Sequence, residues 1–180
     1  MLTIENTQLL IIDVQEKLLR VMFEKESLIS NLQKLIKGCA LIGVPMIITE
    51  QNPSGLGATA RELLDILPRV EPVIKFSFNC CGESGFNEKL RETARSQILV
   101  CGIESHICVY QTSMDLVLAG NEVHVVTDCV SSRTPQNKEL ALRRMVSENI
   151  KLTGVEMALF ELLRSSKSQQ FKAISTLIKD

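Results

Sequence analysis

The chain has 180 residues, of which 45% are hydrophobic and 23% charged, and its net charge is −1 at pH 7. That is the length of one domain, with enough apolar material for a core. A near-neutral chain without a Lys/Arg cluster is a poor nucleic-acid binder, and no apolar run of about 18 residues is present to span a membrane.

In chain order, apolar β-branched runs alternate with amphipathic stretches. "QLLIID" (8–13) reads as a buried strand, followed by a helix over 27–43 that ends in Gly43. "VPMIITE" (44–50) is the second strand, 58–68 a helix stopped by Pro68, and "PVIKF" (72–76) the third strand. A helix over 83–95 leads to the strand "QILVCG" (97–102) and then to a helix over 108–120. "EVHVVTD" (122–128) is a strand, 135–149 a helix and "IKLTG" (150–154) the sixth strand. Helix over 155–165 and from Gln169 onward closes the chain. Continuous apolar strands alternating with helices mean a parallel sheet covered on both faces. The expected fold is α/β, a single domain with a Rossmann-like, doubly wound six-stranded sheet in the order 3-2-1-4-5-6. Sites on such sheets lie at the carboxyl ends of the strands, near the switch point between the first and fourth.

Three chemically useful side chains fall on that edge. Asp13 ends the first strand, Lys75 the third, and Cys108 follows the fourth and opens a helix. Each has a plainer role available: Asp13 as a helix cap, Lys75 as a snorkelling surface lysine, Cys108 as a small core residue. Their joint placement is the argument. A helix start and a nearby ammonium favour a thiolate, a carboxylate can take and return a proton, and backbone N–H groups can hold an oxyanion. That set suffices for acyl transfer through a thioester, and it makes Cys108 the expected most reactive thiol. His106 and His124 are expected to be core or pocket-wall residues. His106 is two residues from Cys108 and does not face it on a helix, and His124 lies inside a strand.

Six cysteines without CxxC or zinc-like spacing read as reduced thiols. "MLTIENTQLL" has neither a charged leader region nor a cleavage site. A cytoplasmic location is the expectation. No glycine-rich phosphate loop follows the first strand, which argues against a dinucleotide. The helix "VEMALFELLRS" carries Met157, Leu159, Phe160, Leu162 and Leu163, more apolar surface than one core face needs, and so hints at self-association.

The segments "LLIIDVQEKL", "IITEQNPSGLG", "VIKFSFNCCG", "LVCGIESHICVYQTSMDL" and "EVHVVTDCVSSR" cover most of residues 8–133. Through them the chain resembles the isochorismatase-like cysteine hydrolases, a family that includes the nicotinamidases, and within it the isochorismatase domain-containing branch. The resemblance implies Asp13 as general base, Lys75 as electrostatic helper, Cys108 as nucleophile, and the backbone N–H groups of Glu104 and Cys108 as oxyanion donors. It also implies a cis peptide between Ile103 and Glu104 and a homo-oligomer, dimer or tetramer. Gln15, Glu50, Gln51, Phe76 and His106 are the expected substrate-binding residues. Nicotinamidases of this family carry an Asp-x-His metal pair after the second strand. Here Glu50, Gln51 and Asn52 stand there, so no metal or other cofactor is expected. Isochorismatases proper cleave a vinyl ether by acid catalysis without a cysteine. The cysteine here favours a small amide or ester substrate, with the vinyl ether (Asp13 as acid) and a non-catalytic interaction domain as the alternatives.

Overall fold

The computed structural model describes residues 1–67 and 70–179. Its centre is one six-stranded sheet: β1 (Thr7–Ile12), β2 (Met46–Gln51), β3 (Val73–Lys75), β4 (Gln97–Ile103), β5 (Glu122–Ser131) and β6 (Lys151–Thr153). All pairings are parallel and the order is β3-β2-β1-β4-β5-β6, as expected from the sequence. The two central strands, β1 and β4, are buried along their whole length because both of their faces are covered. In β1, Leu9 and Ile11 point into one core and Leu10 and Ile12 into the other, the period-2 consequence of a pleated strand.

The first core is closed by α2 (Lys25–Ile42), α4 (Arg61–Leu64), α8 (Val155–Leu163) and α9 (Phe171–Lys179). The second is closed by α5 (Ser84–Thr93), α6 (Tyr110–Leu118) and α7 (Pro135–Ser147). Two short helices, α1 (Glu16–Leu19) and α3 (Pro53–Leu56), lie in the strand-to-helix loops and have no amphipathic signature long enough to be read from sequence.

Three expectations are corrected. The helix over 58–68 shrinks to Arg61–Leu64. Thr59 forms an antiparallel bridge with Gln15, and Ala60 N–H donates to the Val14 carbonyl, so these residues are held extended instead. Pro68 lies outside the described residues. The fifth strand runs on to Ser131 through a register shift: Val100 faces Val125, but Gly102 faces Val130. Asp128, within that shift, accepts the Val155 N–H on its carboxylate at 3.1 and 3.2 Å and caps α8. Finally, the apolar surplus of α8 is spent within the chain. Leu159 packs so closely over Gly38 that a Cβ there would lie 2.5 Å from its Cδ1. Phe160 stacks edge-on against Phe171 with ring centres 6.0 Å apart. Only Met157 of that group is exposed, so the hint of self-association drawn from this helix is withdrawn.

Candidate active site

The strand order brings the ends of β1, β2 and β3 side by side, with β4 on the other flank of β1. Asp13, the residue after β1, turns the chain with φ +51°, a left-handed conformation that Asp tolerates better than most. The turn closes with Gln15 N–H donating to the Asp13 carbonyl at 2.7 Å. Helix α1 begins at Glu16 behind Gln15, so Asp13 does not cap it. Its carboxylate is fully buried, with Oδ1 accepting the Thr49 hydroxyl at 2.7 Å and Oδ2 lying 2.6 Å from Lys75 Nζ.

Lys75 closes β3 and is buried to 0% exposure, which excludes a snorkelling role. The chain beyond it curls around the ammonium. Nζ donates to Gln51 Oε1 at 2.7 Å and to the Ser77 and Phe78 carbonyls, both at 3.1 Å. Burial by itself would lower the Lys75 pKa. The Asp13 carboxylate, with the Cys80 and Cys108 sulfurs, outweighs it and holds the pKa above the usual lysine value.

Cys108 arrives from β4. Gly102 has φ +120°, and a Cβ there would stand 2.0 Å from the Ile12 carbonyl oxygen. Only glycine lets β4 pass so close to the end of β1. The Ile103–Glu104 peptide is cis. A single π-helical turn, Ser105–Val109, then runs into α6. Cys108 therefore does not open a helix, as the sequence suggested, but sits fourth in this wide turn. π turns recur at functional sites. The Asp13 carboxylate lies near enough for its charge to act on the thiol.

The expectation of an acidified thiol is also corrected. Burial first, then the Asp13 charge, push the Cys108 pKa up to about 12, and Lys75 only partly opposes them. The ammonium is already matched by Asp13, so the pair offers the sulfur little net positive field, and desolvation prevails. At rest Cys108 is a neutral thiol.

The remaining expected residues divide. Gln15 is buried and works as a staple: its amide donates to the Gln51 and Gly57 carbonyls, and its Oε1 accepts the Gln51 N–H at 2.8 Å. Gln51 in turn holds Lys75 and the Phe76 carbonyl. The Glu50 carboxylate is taken up by Thr59, through its N–H at 2.7 Å and its hydroxyl at 2.8 Å. Phe76 is 71% exposed beside the ammonium's carbonyl collar. His106 lies in the π turn with Nδ1 3.0 Å from the Ser132 hydroxyl. The Glu104 side chain is clamped to the loop after β5, 3.3 Å from both the Arg133 N–H and its guanidinium. His124 is far from all of these, near the amino ends of the strands, 2.6 Å from Glu122.

Sequence reasoning missed Thr49 and Cys80. Thr49 pairs with Ile12 in register, so an alignment of strand ends could have placed its hydroxyl beside Asp13. Cys80 comes from a 3₁₀ turn, Cys80–Gly82, and carried no such signal. Among the described residues no group of three or more His, Cys, Asp or Glu side chains could hold a metal ion.

The Isochorismatase domain profile matches residues 7–157, which include every residue of this site. The chain belongs to the isochorismatase family. It is 36% identical to a secreted isochorismatase effector of Phytophthora sojae, over 97% of this chain and 85% of that protein. It is 34% identical to isochorismatase domain-containing protein 2 of Danio rerio, over 98% and 89% of the two chains. Among solved structures, a ribonuclease from Caenorhabditis elegans superposes with a TM-score of 0.93 at 32% identity, covering 99% of this chain and 92% of that one. An octameric hydrolase from Escherichia coli superposes with a TM-score of 0.93 at 22% identity, covering 98% and 88%. The isochorismatase-family hydrolase fold is thus complete here, with six parallel strands in the order 3-2-1-4-5-6.

Proposed function

We propose that this isochorismatase-family protein is a metal-independent cysteine hydrolase of a small amide or ester, acting through a thioester on Cys108. One observation carries this reading: a fully buried Asp13–Lys75 ion pair, 2.6 Å apart, whose carboxylate charge acts on the Cys108 thiol. Asp13 takes the S–H proton as the sulfur attacks the carbonyl carbon, and the backbone N–H groups of Glu104 and Cys108 receive the oxyanion. The tetrahedral adduct collapses to a thioester, and Asp13 returns the proton to the departing amine or alkoxide. Water then attacks the thioester, gives a proton to Asp13, and releases the acid. The proton passes back to the sulfur. Lys75 keeps the Asp13 carboxylate aimed between these steps. Gln51, Phe76 and His106 are the proposed substrate contacts, with Gln15 and Glu50 holding the loops that carry them. The reading asks for no metal, because Gln51 is committed to Lys75 and Glu50 to Thr59.

Two further parts of the reading are a cytoplasmic location, which suits six free thiols, and a homo-oligomer, supported by the octameric neighbour. RNA as substrate is disfavoured by the net charge of −1 and by an ammonium with no exposed surface to offer a phosphate.

A panel of small amides and activated esters tests the reading, with mass spectrometry of the trapped protein. An acyl adduct on Cys108 is expected, with turnover lost in both Cys108→Ser and Asp13→Asn. Turnover lost only in Asp13→Asn would instead favour acid-catalysed vinyl-ether cleavage.

A further inference from the structure

Thr49 stands behind the site and contacts no expected position of a substrate, yet its hydroxyl is fully buried and bonded on two sides. Oγ1 is 2.7 Å from Asp13 Oδ1 and 3.9 Å from the sulfur of Cys80. The protons can be assigned from chemistry alone. An ionised carboxylate only accepts, so Thr49 must donate to Asp13, and a hydroxyl has one proton to give. The Cys80 S–H must then donate to Thr49. Cys80 N–H donates in turn to the Thr112 hydroxyl at 3.0 Å, one helical turn beyond Cys108. A continuous buried chain runs from Asp13, through Thr49 and Cys80, to α6, the helix that follows the turn holding Cys108.

We propose that Thr49 is a positioning residue of this site: by donating to Oδ1 of Asp13 it fixes the carboxylate with Oδ2 turned to Lys75, the orientation in which it acts on Cys108. This inference rests on the proposed thioester chemistry.

The test needs no substrate. Full-length protein is treated with iodoacetamide, and the alkylation rate of Cys108 is read by peptide mass mapping in wild type, Asp13→Asn, Thr49→Val and Thr49→Ser. Asp13→Asn should slow the reaction by about tenfold or more, the loss of a positioned base outweighing the gain in thiolate when the carboxylate charge that raises the thiol pKa is removed. Thr49→Val keeps the shape and removes the hydroxyl, and a slowing of about tenfold is expected. Thr49→Ser keeps the hydroxyl and removes a methyl group, and it should stay within about twofold of wild type. A role in packing alone predicts the reverse order, Ser impaired and Val intact, so rescue by Ser is a readout that folding does not imitate. A Val rate at or above wild type, or a Ser rate as low as Val, overturns the inference. If Asp13→Asn is slow while Thr49→Val is not, only the role of Thr49 falls. If Asp13→Asn reacts like wild type, the proposed function falls with it.

Discussion

The two ends of the sheet carry nearly the same ion pair in opposite surroundings. At the carboxyl end Asp13 and Lys75 lie 2.6 Å apart with both side chains at 0% exposure. At the amino end Glu122 and Lys151 lie 2.8 Å apart with side chains 33% and 53% exposed, and His124 completes a cluster of carboxylate, cation and imidazole. A list of reactive residue types would rank the amino end higher. Water makes the difference. Glu122 can exchange its partners for solvent, so its pairing serves the edge of the sheet. Asp13 cannot, so its two oxygens stay with Thr49 and Lys75.

The contrast is broken most strongly by removing one cation at each end. Lys75→Met should destabilise the fold by about 3–5 kcal/mol, because it leaves the Asp13 charge buried and unmatched. Lys151→Met should cost less than about 1 kcal/mol. Urea melts of the two variants measure this, and Asp13→Asn combined with Lys75→Met should recover most of the first loss. Equal losses at the two ends would mean that burial does not separate them.

Alkaline titration sharpens the same point through the sulfurs. The Cys108 pKa is raised by burial from the ordinary 9.0 to about 12. A raised acid pKa contributes stability that is fully present below the unfolded value and is lost as pH climbs through the folded one. Stability should therefore fall between pH 9 and 12, by roughly 1.4 kcal/mol per pH unit from this thiol. Cys39, buried in the other core and likewise raised to about 12, adds a similar slope. Cys108→Ala should remove the site's share of the slope, and an unchanged slope would show that the thiol is not held neutral.

The smallest effect belongs to the amino end. Lys151 first, then His124, lower the Glu122 pKa from 4.5 to about 2. A depressed carboxylate contributes stability above its unfolded value, and that contribution is lost as pH falls from 4.5 towards 2. Because the group is partly in water, the loss should stay under about 1 kcal/mol and shrink further in 1 M salt. Melts at pH 6 and pH 3 in Lys151→Met against wild type measure it. Thr49→Val should show no such salt sensitivity, since nothing around its hydroxyl is exposed.

Much of this molecule was determined by sequence alone. The apolar runs fixed six strands, because only a sheet covered on both faces needs such continuous burial, and their alternation with helices implied the strand order. Asp13, Lys75 and Cys108 could be placed together because the strand ends of such a sheet converge. Tertiary structure decided what no local pattern encodes. It replaced the expected helix start at Cys108 by a π turn, because β4 must pass over Ile12 at Gly102 before the chain can turn. It cut the helix after residue 57 to a single turn, because Glu50 and Val14 claim the backbone of Thr59 and Ala60. It also reversed the expected acidity of Cys108. Charge signs are written in a sequence, but the depth of burial that weighs them against desolvation is set only when the strands close around the site.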